Sequence, residues 1–242
     1  MGHRVFLSPS DQDKNTYAAG NTNEAVQCGR IADAAKAALE RCGFETMLVH
    51  YENMASKCAK SDAFGAELHV PIHSNAFDGK VSGTRIFYGN PGGESHKAAK
   101  AILTRLGAIT PGGPDLVQSR PELYEINTPK APTAYIETDF HDVPDVAAWI
   151  IGHTVEIGEA ICAGICDYFG VAYRAPEKEE NEMRYKTIND VPAWAKKETQ
   201  ELIDSGALKG NENGLDVTDD MLRTMIISKR YADSIACCGR KK

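Results

Sequence analysis

Short apolar runs bounded by turn residues alternate with stretches of helical periodicity through the first two-thirds of this chain, and that alternation leaves few folds open. "RVFLS" (4–8), closed by Pro9, reads as a first strand. From Glu24 to Cys42 the residues Val26, Ile31, Ala35, Ala38 and Leu39 recur at helical spacing until Gly43 stops the pattern. "FETMLVH" (44–50) is strand-like, "NMASKCAKSDAFG" (53–65) helical, and "AELHVPIHSNA" (66–76) a buried strand. "GTRIFYG" (83–89) gives another strand, "SHKAAKAILTRLG" (95–107) a helix, "TAYIETDF" (133–140) a strand, and residues 145–170 one long helix. The pattern predicts an α/β fold: a mostly parallel twisted sheet with helices on both faces.

The composition then shifts. "RAPEKEENEM" (174–183) is charged and nearly free of aliphatic residues, which marks an exposed linker between a domain at 1–173 and a small one at 184–242. In the second, Pro192 opens a helix and Gly206 closes it. A further helix follows Thr218 as N-cap, with Met221, Leu222, Met225 and Ile226 on one face. This C-terminal helical hairpin is too short to bury much surface alone.

Several classes of function are disfavoured. The net charge of -7 argues against a nucleic-acid partner, which a basic surface would have to hold. No apolar run reaches the roughly 18 residues that membrane insertion needs. The start "MGHRVFLSPS" enters a strand without a signal pattern, so cytoplasmic synthesis is expected. The seven cysteines form no C-x-x-C pair, and Cys162 and Cys166, one helical turn apart, read as core packing rather than as part of a disulfide framework.

Ligands of open α/β sheets gather where strands end and loops begin. Four such places carry polar groups suited to metal-dependent hydrolysis: Asp11 and Gln12 after the first strand, Glu24 at the head of the first helix, His73 at the end of its strand, and Glu137 in "YIETDF". A hydrolytic zinc takes three imidazole or carboxylate ligands, keeps a position for water, and works beside a carboxylate that accepts the water's proton. Each of these residues also has an ordinary structural role, Glu24 for instance as a helix-start acid favoured by the dipole.

The succession of strand, loop, glutamate and helix, then "PIHSNA", "GTRIFY" and "AYIETDF", resembles the zinc-dependent N-acetylmuramoyl-L-alanine amidases of the amidase-3 family. "IHSNA" is similar to the family's "S-I-H-x-N-A", which implies that His73 is a zinc ligand. Glu24 in "NTNEAVQ" stands like the family's helix-initiating glutamate ligand. Glu137 and Phe140 match its "V-E-x-x-F" segment, where the glutamate is the catalytic acid/base. The resemblance spans residues 4–170. One departure stands out: the family opens with "D-P-G-H-G", and this chain has "SPSDQDKN". Asp11 stands where the family's first histidine ligand would be, which implies one imidazole and two carboxylates, a harder shell that also suits manganese. Gln12, His69 and His141 are the other candidates for that third position.

The tail resembles a single S-layer-homology-type wall-binding unit through Asp190, Val191, Trp194 and Ala195. These resemblances imply an endolysin-type peptidoglycan hydrolase that cleaves the amide between N-acetylmuramic acid and L-alanine of the stem peptide. It would wait in the cytoplasm and act on the wall after release. One wall-binding unit per chain implies homo-oligomers that pool their tails. The competing expectation is a catalytically silent wall-binding or regulatory protein that keeps the amidase fold.

Overall fold

The computed structural model describes residues 2–176, 183–212 and 214–238, the last four as backbone only. Most of the expected linker, residues 177–182, lies outside the described residues. The chain forms two compact units, residues 1–176 and 177–242.

The first unit is built on six strands: β1 (Arg4–Pro9), β2 (Glu45–Leu48), β3 (Leu68–Asn75), β4 (Arg85–Tyr88), β5 (Leu116–Ser119) and β6 (Tyr135–Phe140). Their order is β2-β1-β3-β6-β4-β5, and every pairing is parallel except that of β4 with β6. The helices are α1 (Glu24–Arg41), α2 (Met54–Phe64), α3 (Glu94–Leu106), α4 (Tyr124–Asn127), α5 (Pro144–Gly152) and α6 (Thr154–Phe169). The single helix expected over 145–170 is thus two, bent by 77° at His153. The edge strand β5 and the four-residue α4 have no counterpart in the sequence reading.

Strand alternation divides the sheet into two unlike faces. Val5, Leu7, Leu68, Val70, Ile72, Ile86 and Ile136 share one face by register and are buried against α1, α3 and α6 in one continuous apolar core. Gly158 and Gly164 let α6 approach closely. A Cβ on Gly164 would lie 2.4 Å from Ile102 Cα, and one on Gly158 would lie 2.6 Å from Ala34 Cβ. The other face carries Phe6, Ser8, His69, Pro71, His73, Tyr135, Glu137, Arg85 and Phe87. Here α2 and α4 lie over the β1–β3 side. Buried Lys57 of α2 donates to Pro9 O at 2.6 Å, and Ser8 Oγ donates to Glu125 of α4.

A β-bulge interrupts the β3–β6 ladder. Ile72 pairs with Ile136 and His73 with Glu137, but Asn75 pairs with Phe140, so β6 holds one extra residue. Asp139 braces the bulge by accepting from the backbone N–H groups of Gly83 and Phe140, both at 2.7 Å.

The second unit consists of α7 (Ala193–Asp204) and α8 (Asp219–Cys238) around Val191, Ala195, Val217, Leu222 and Ile226. Thr218 caps α8 by accepting from Met221 N at 3.2 Å.

Candidate active site

The loop between β1 and α1 folds back on itself to bring polar groups to the open face. Thr16 pairs with Asn23, Tyr17 N donates to Thr22 O, and Glu24 N donates to Asn15 O. Asn23 then caps α1 by accepting from Val26 N at 3.0 Å. Glu24 thereby becomes the first residue of a helix whose dipole favours an acid there, and it is almost fully buried.

Glu24 Oε1 lies 2.8 Å from His73 Nδ1, and Asn15 Nδ2 donates to Glu24 Oε2 at 2.7 Å. Gln12 completes the cluster: its Nε2 is 3.4 Å from His73 Nδ1, and its Oε1 accepts from Asn15 Nδ2 at 2.9 Å. Tyr135 stacks on the His73 ring at 4.6 Å between centroids. Glu137 stands directly across from His73 in the β3–β6 register, on the same face. Its Oε2 is buried and has no hydrogen-bond partner.

The charges follow from these neighbours. Burial opposes ionisation of Glu24, but hydrogen bonds from His73, Asn15 and Ser10 outweigh it and hold the carboxyl below its usual range. Burial also opposes a charged His73, yet the bond to Glu24 and the charges of Glu137, Glu24 and Glu125 hold its pKa above the ordinary value. Glu137 has no such support. Burial raises its pKa to about 7, with Glu24 adding to the rise and His73 and Arg120 opposing it.

Of the four site residues read from the sequence, the structure brings together Glu24, His73 and Glu137. Asp11 is exposed, and no hydrogen bond or ion pair joins its side chain to His73 or Glu24. The turn after β1, closed by Asp13 N on Asp11 O, leaves Gln12 as the residue beside His73.

His141 is held elsewhere: Ser74 Oγ lies 2.9 Å from its Nδ1, and Tyr17 stacks on its ring at 4.9 Å. The bulge explains this. One extra residue in β6 inverts the alternation beyond Glu137, so His141 leaves the face that simple alternation would give it. His69 does share the face of His73, stacked on Phe6 and fully buried, with Nε2 3.4 Å from Glu125 Oε1.

Glu125 is the polar residue the sequence did not mark. Its carboxylate accepts from Ser8 Oγ at 2.5 Å and lies between the two histidines of β3, with Oε2 4.0 Å from His73 Nε2. Burial opposes its ionisation, and hydrogen bonds from His69 and Ser8 outweigh that effect.

The donors around Glu24 and His73 fit a metal ion. A carboxylate oxygen and an imidazole nitrogen converge, an amide stands beside them, and a buried carboxylate oxygen without a partner lies next to the imidazole. Two further donor groups occur among the described residues, Cys58 with His69 and Glu125, and Cys42 with Cys162 and Cys166.

Residues 1–167 match the family described as N-acetylmuramoyl-L-alanine amidase. No curated protein sequence matches the chain. Among solved structures, the amidase AmiC2 of Nostoc punctiforme is 19% identical with a TM-score of 0.60, over 69% of this chain and 97% of that one. The catalytic domain of CwlV, an amidase from Bacillus (Paenibacillus) polymyxa var. colistinus, is 16% identical with a TM-score of 0.62, over 71% and 100%. The catalytic domain of the CD27L endolysin, which targets Clostridia difficile, is 18% identical with a TM-score of 0.58, over 69% and 97%. At these identities the likeness is one of fold.

Proposed function

The chain belongs to the N-acetylmuramoyl-L-alanine amidase family, a peptidoglycan hydrolase that cleaves the amide between N-acetylmuramic acid and L-alanine of the stem peptide, and on that premise we propose how its own residues do so. Glu24 and His73 hold the metal, which we take to be zinc, and the third ligand is the amide oxygen of Gln12 rather than the carboxylate of Asp11. Rotation of the Gln12 amide would turn that oxygen toward the position between His73 and Glu24. A shell of one imidazole, one carboxylate and one amide is hard enough to accept manganese as well. The metal, when bound, would polarise the scissile carbonyl and acidify a water.

Glu137 moves the protons. The observation that carries this role is its buried, unpartnered Oε2 beside His73. An oxygen engaged by a neighbour would have to break that bond before taking a proton, and this one would not. Burial, which raises its pKa to about 7 in the metal-free protein, favours its taking the water's proton and then delivering it to the departing alanine amine. Tyr135 limits rotation of the His73 ring, and Asn15 holds Glu24 by donating to its Oε2.

The alternative of a catalytically silent wall-binding protein is not favoured, since such a protein has no use for a buried free carboxylate beside a convergent carboxylate–imidazole pair. The test is mass spectrometry of digested sacculi or soluble muropeptides. Each cut should expose an L-alanine amine, chelation should stop the reaction, and zinc should restore it. Products cut elsewhere, or full activity after chelation, would refute the reading.

The second unit supports an endolysin-type role with the tail as wall anchor, acting after release from the cytoplasm. Val191 and Ala195 are buried, Asp190 accepts from Thr187 N and Oγ1, and Trp194 is 42% exposed with Arg223 5.0 Å above its ring. An exposed indole flanked by a guanidinium suits a sugar polymer. Several chains would pool such units on the wall and gain avidity without new contacts.

A further inference from the structure

Away from the catalytic face, three free cysteines meet inside the apolar core. Cys162 and Cys166, one turn apart on α6, read from the sequence as packing; the structure adds Cys42, the C-cap residue of α1. Cys162 Sγ lies 3.8 Å from Cys42 Sγ and 4.0 Å from Cys166 Sγ, and all three sulfurs lie within 4.8 Å of one another. Cys162 and Cys166 are fully buried, and Cys42 is 5% exposed.

From this triangle we propose a second metal site, in which the sulfurs of Cys42, Cys162 and Cys166 hold one soft, thiophilic cation of the copper(I) class. Metal–sulfur bonds of about 2.3 Å set the sulfurs of a three- or four-coordinate shell about 3.8–4.0 Å apart, so the two helices would need to move little. Thiols packed as apolar groups also touch at such distances, so the case rests equally on what surrounds them. Cys42 ends α1 and Cys166 lies in the last turn of α6, so the carbonyl ends of two helices converge on the cluster and favour positive charge there. The backbone of Arg174 serves Cys42 in either state. Its O accepts from the thiol at 3.8 Å, and its N–H donates to the sulfur at 3.3 Å, a bond that strengthens once the sulfur is a thiolate. Burial pushes the Cys162 and Cys166 thiols up, so the cation must displace protons and its binding should weaken in acid. The donor group contains sulfur alone, with no imidazole or carboxylate as a fourth ligand. Structural zinc almost always takes four ligands, whereas a shell of soft thiolates selects copper(I). The site does not depend on the catalytic assignment.

The test loads the full chain with copper(I) under anaerobic conditions, in competition with a chromophoric copper(I) chelator. Cys237→Ser and Cys238→Ser are present throughout, so that the adjacent thiols of the tail do not compete. One copper(I) per chain should resist the chelator, and X-ray absorption should show sulfur neighbours only. Cys162→Ala should abolish this binding. His73→Ala and Cys58→Ala should keep it, which separates the site from the catalytic residues and from the group of Cys58, His69 and Glu125. Loss of all copper to the chelator, nitrogen or oxygen neighbours at the metal, or copper retained by folded Cys162→Ala would each overturn the proposal. Should Cys162→Ala not fold, Cys42→Ser replaces a sulfur at the rim of the core by a hard oxygen. Copper lost from that variant supports the site, and an unchanged affinity overturns it.

Discussion

Replacing Glu137 by glutamine should destroy activity and raise stability together. Glutamine keeps the size and cannot carry a proton between water and amine, so hydrolysis should fall about a hundred- to ten-thousandfold. The stability gain comes from the carboxylate's environment. Burial raises the Glu137 pKa from 4.5 to about 7, so the folded state resists an ionisation that the unfolded chain permits. The sign follows directly. Below about pH 4.5 the group is protonated in both states and costs nothing. Between there and pH 7 the cost grows, and above pH 7 it is complete. A rise of this size corresponds to about 3 kcal/mol. Metal-free Glu137→Gln at pH 8 should therefore be more stable than its parent by something approaching that figure, with the advantage gone at pH 4. The assay is urea unfolding of chelator-treated protein in a Trp194→Phe background, where Trp149 alone reports on the first unit. Wild-type hydrolysis by Glu137→Gln would remove Glu137 as the catalyst. A variant no more stable than its parent at pH 8 would refute the desolvation argument even if activity were lost.

Other outcomes follow from single contacts. Gln12→Ala should weaken zinc binding tenfold or more while Asp11→Ala leaves it unchanged; equilibrium dialysis of both separates the candidates, and the reverse order would return the third position to Asp11. Gly164→Ala should destabilise the first unit by about 1–3 kcal/mol, because the new methyl meets the α3 backbone at Ile102; an unchanged unfolding midpoint would show that α6 has room to shift. Ending the chain after Pro176 should leave a folded enzyme that cleaves soluble muropeptides but binds sacculi less well, and sedimentation should find the full chain in the larger oligomer. Equal sacculus binding by the two forms would deny the tail its anchoring role.

Much of the sheet was legible because burial and periodicity agree. The runs at 4–8 and 66–76 and the helical spacing from Glu24 to Leu39 all reflect one apolar core, and they correspond to β1, β3 and α1. What the sequence hid is short or exposed. β5 is an edge strand with mostly exposed side chains, and α4 has only four residues, so neither carries a period long enough to read. Glu125 was lost with α4. The break at His153 has one local signal, Gly152 as the last residue of α5, but apolar residues continue on both sides of it and hide the stop.

The site was legible by position and illegible by orientation. Glu24, His73 and Glu137 could be named because each sits at the end of an element whose start or stop is marked in the sequence. Which way a side chain turns depends on events of one residue. The extra residue in β6 moves His141 to the far face, and the turn after β1 puts Gln12, not Asp11, against His73. Both choices arise from backbone geometry that composition does not encode. An α/β sheet with three helices on one side and two partial covers on the other has a dry face to hold it together and a wet one to work with. The bulge braced by Asp139 is where β6 ends that alternation, one residue beyond the strand's pairing with His73. Removing the extra residue would make the pairing regular from His73 to Asn75 while leaving Phe140 opposite Asn75 and beneath Arg85, so the bulge alters the strand's path without changing which residue faces Asn75.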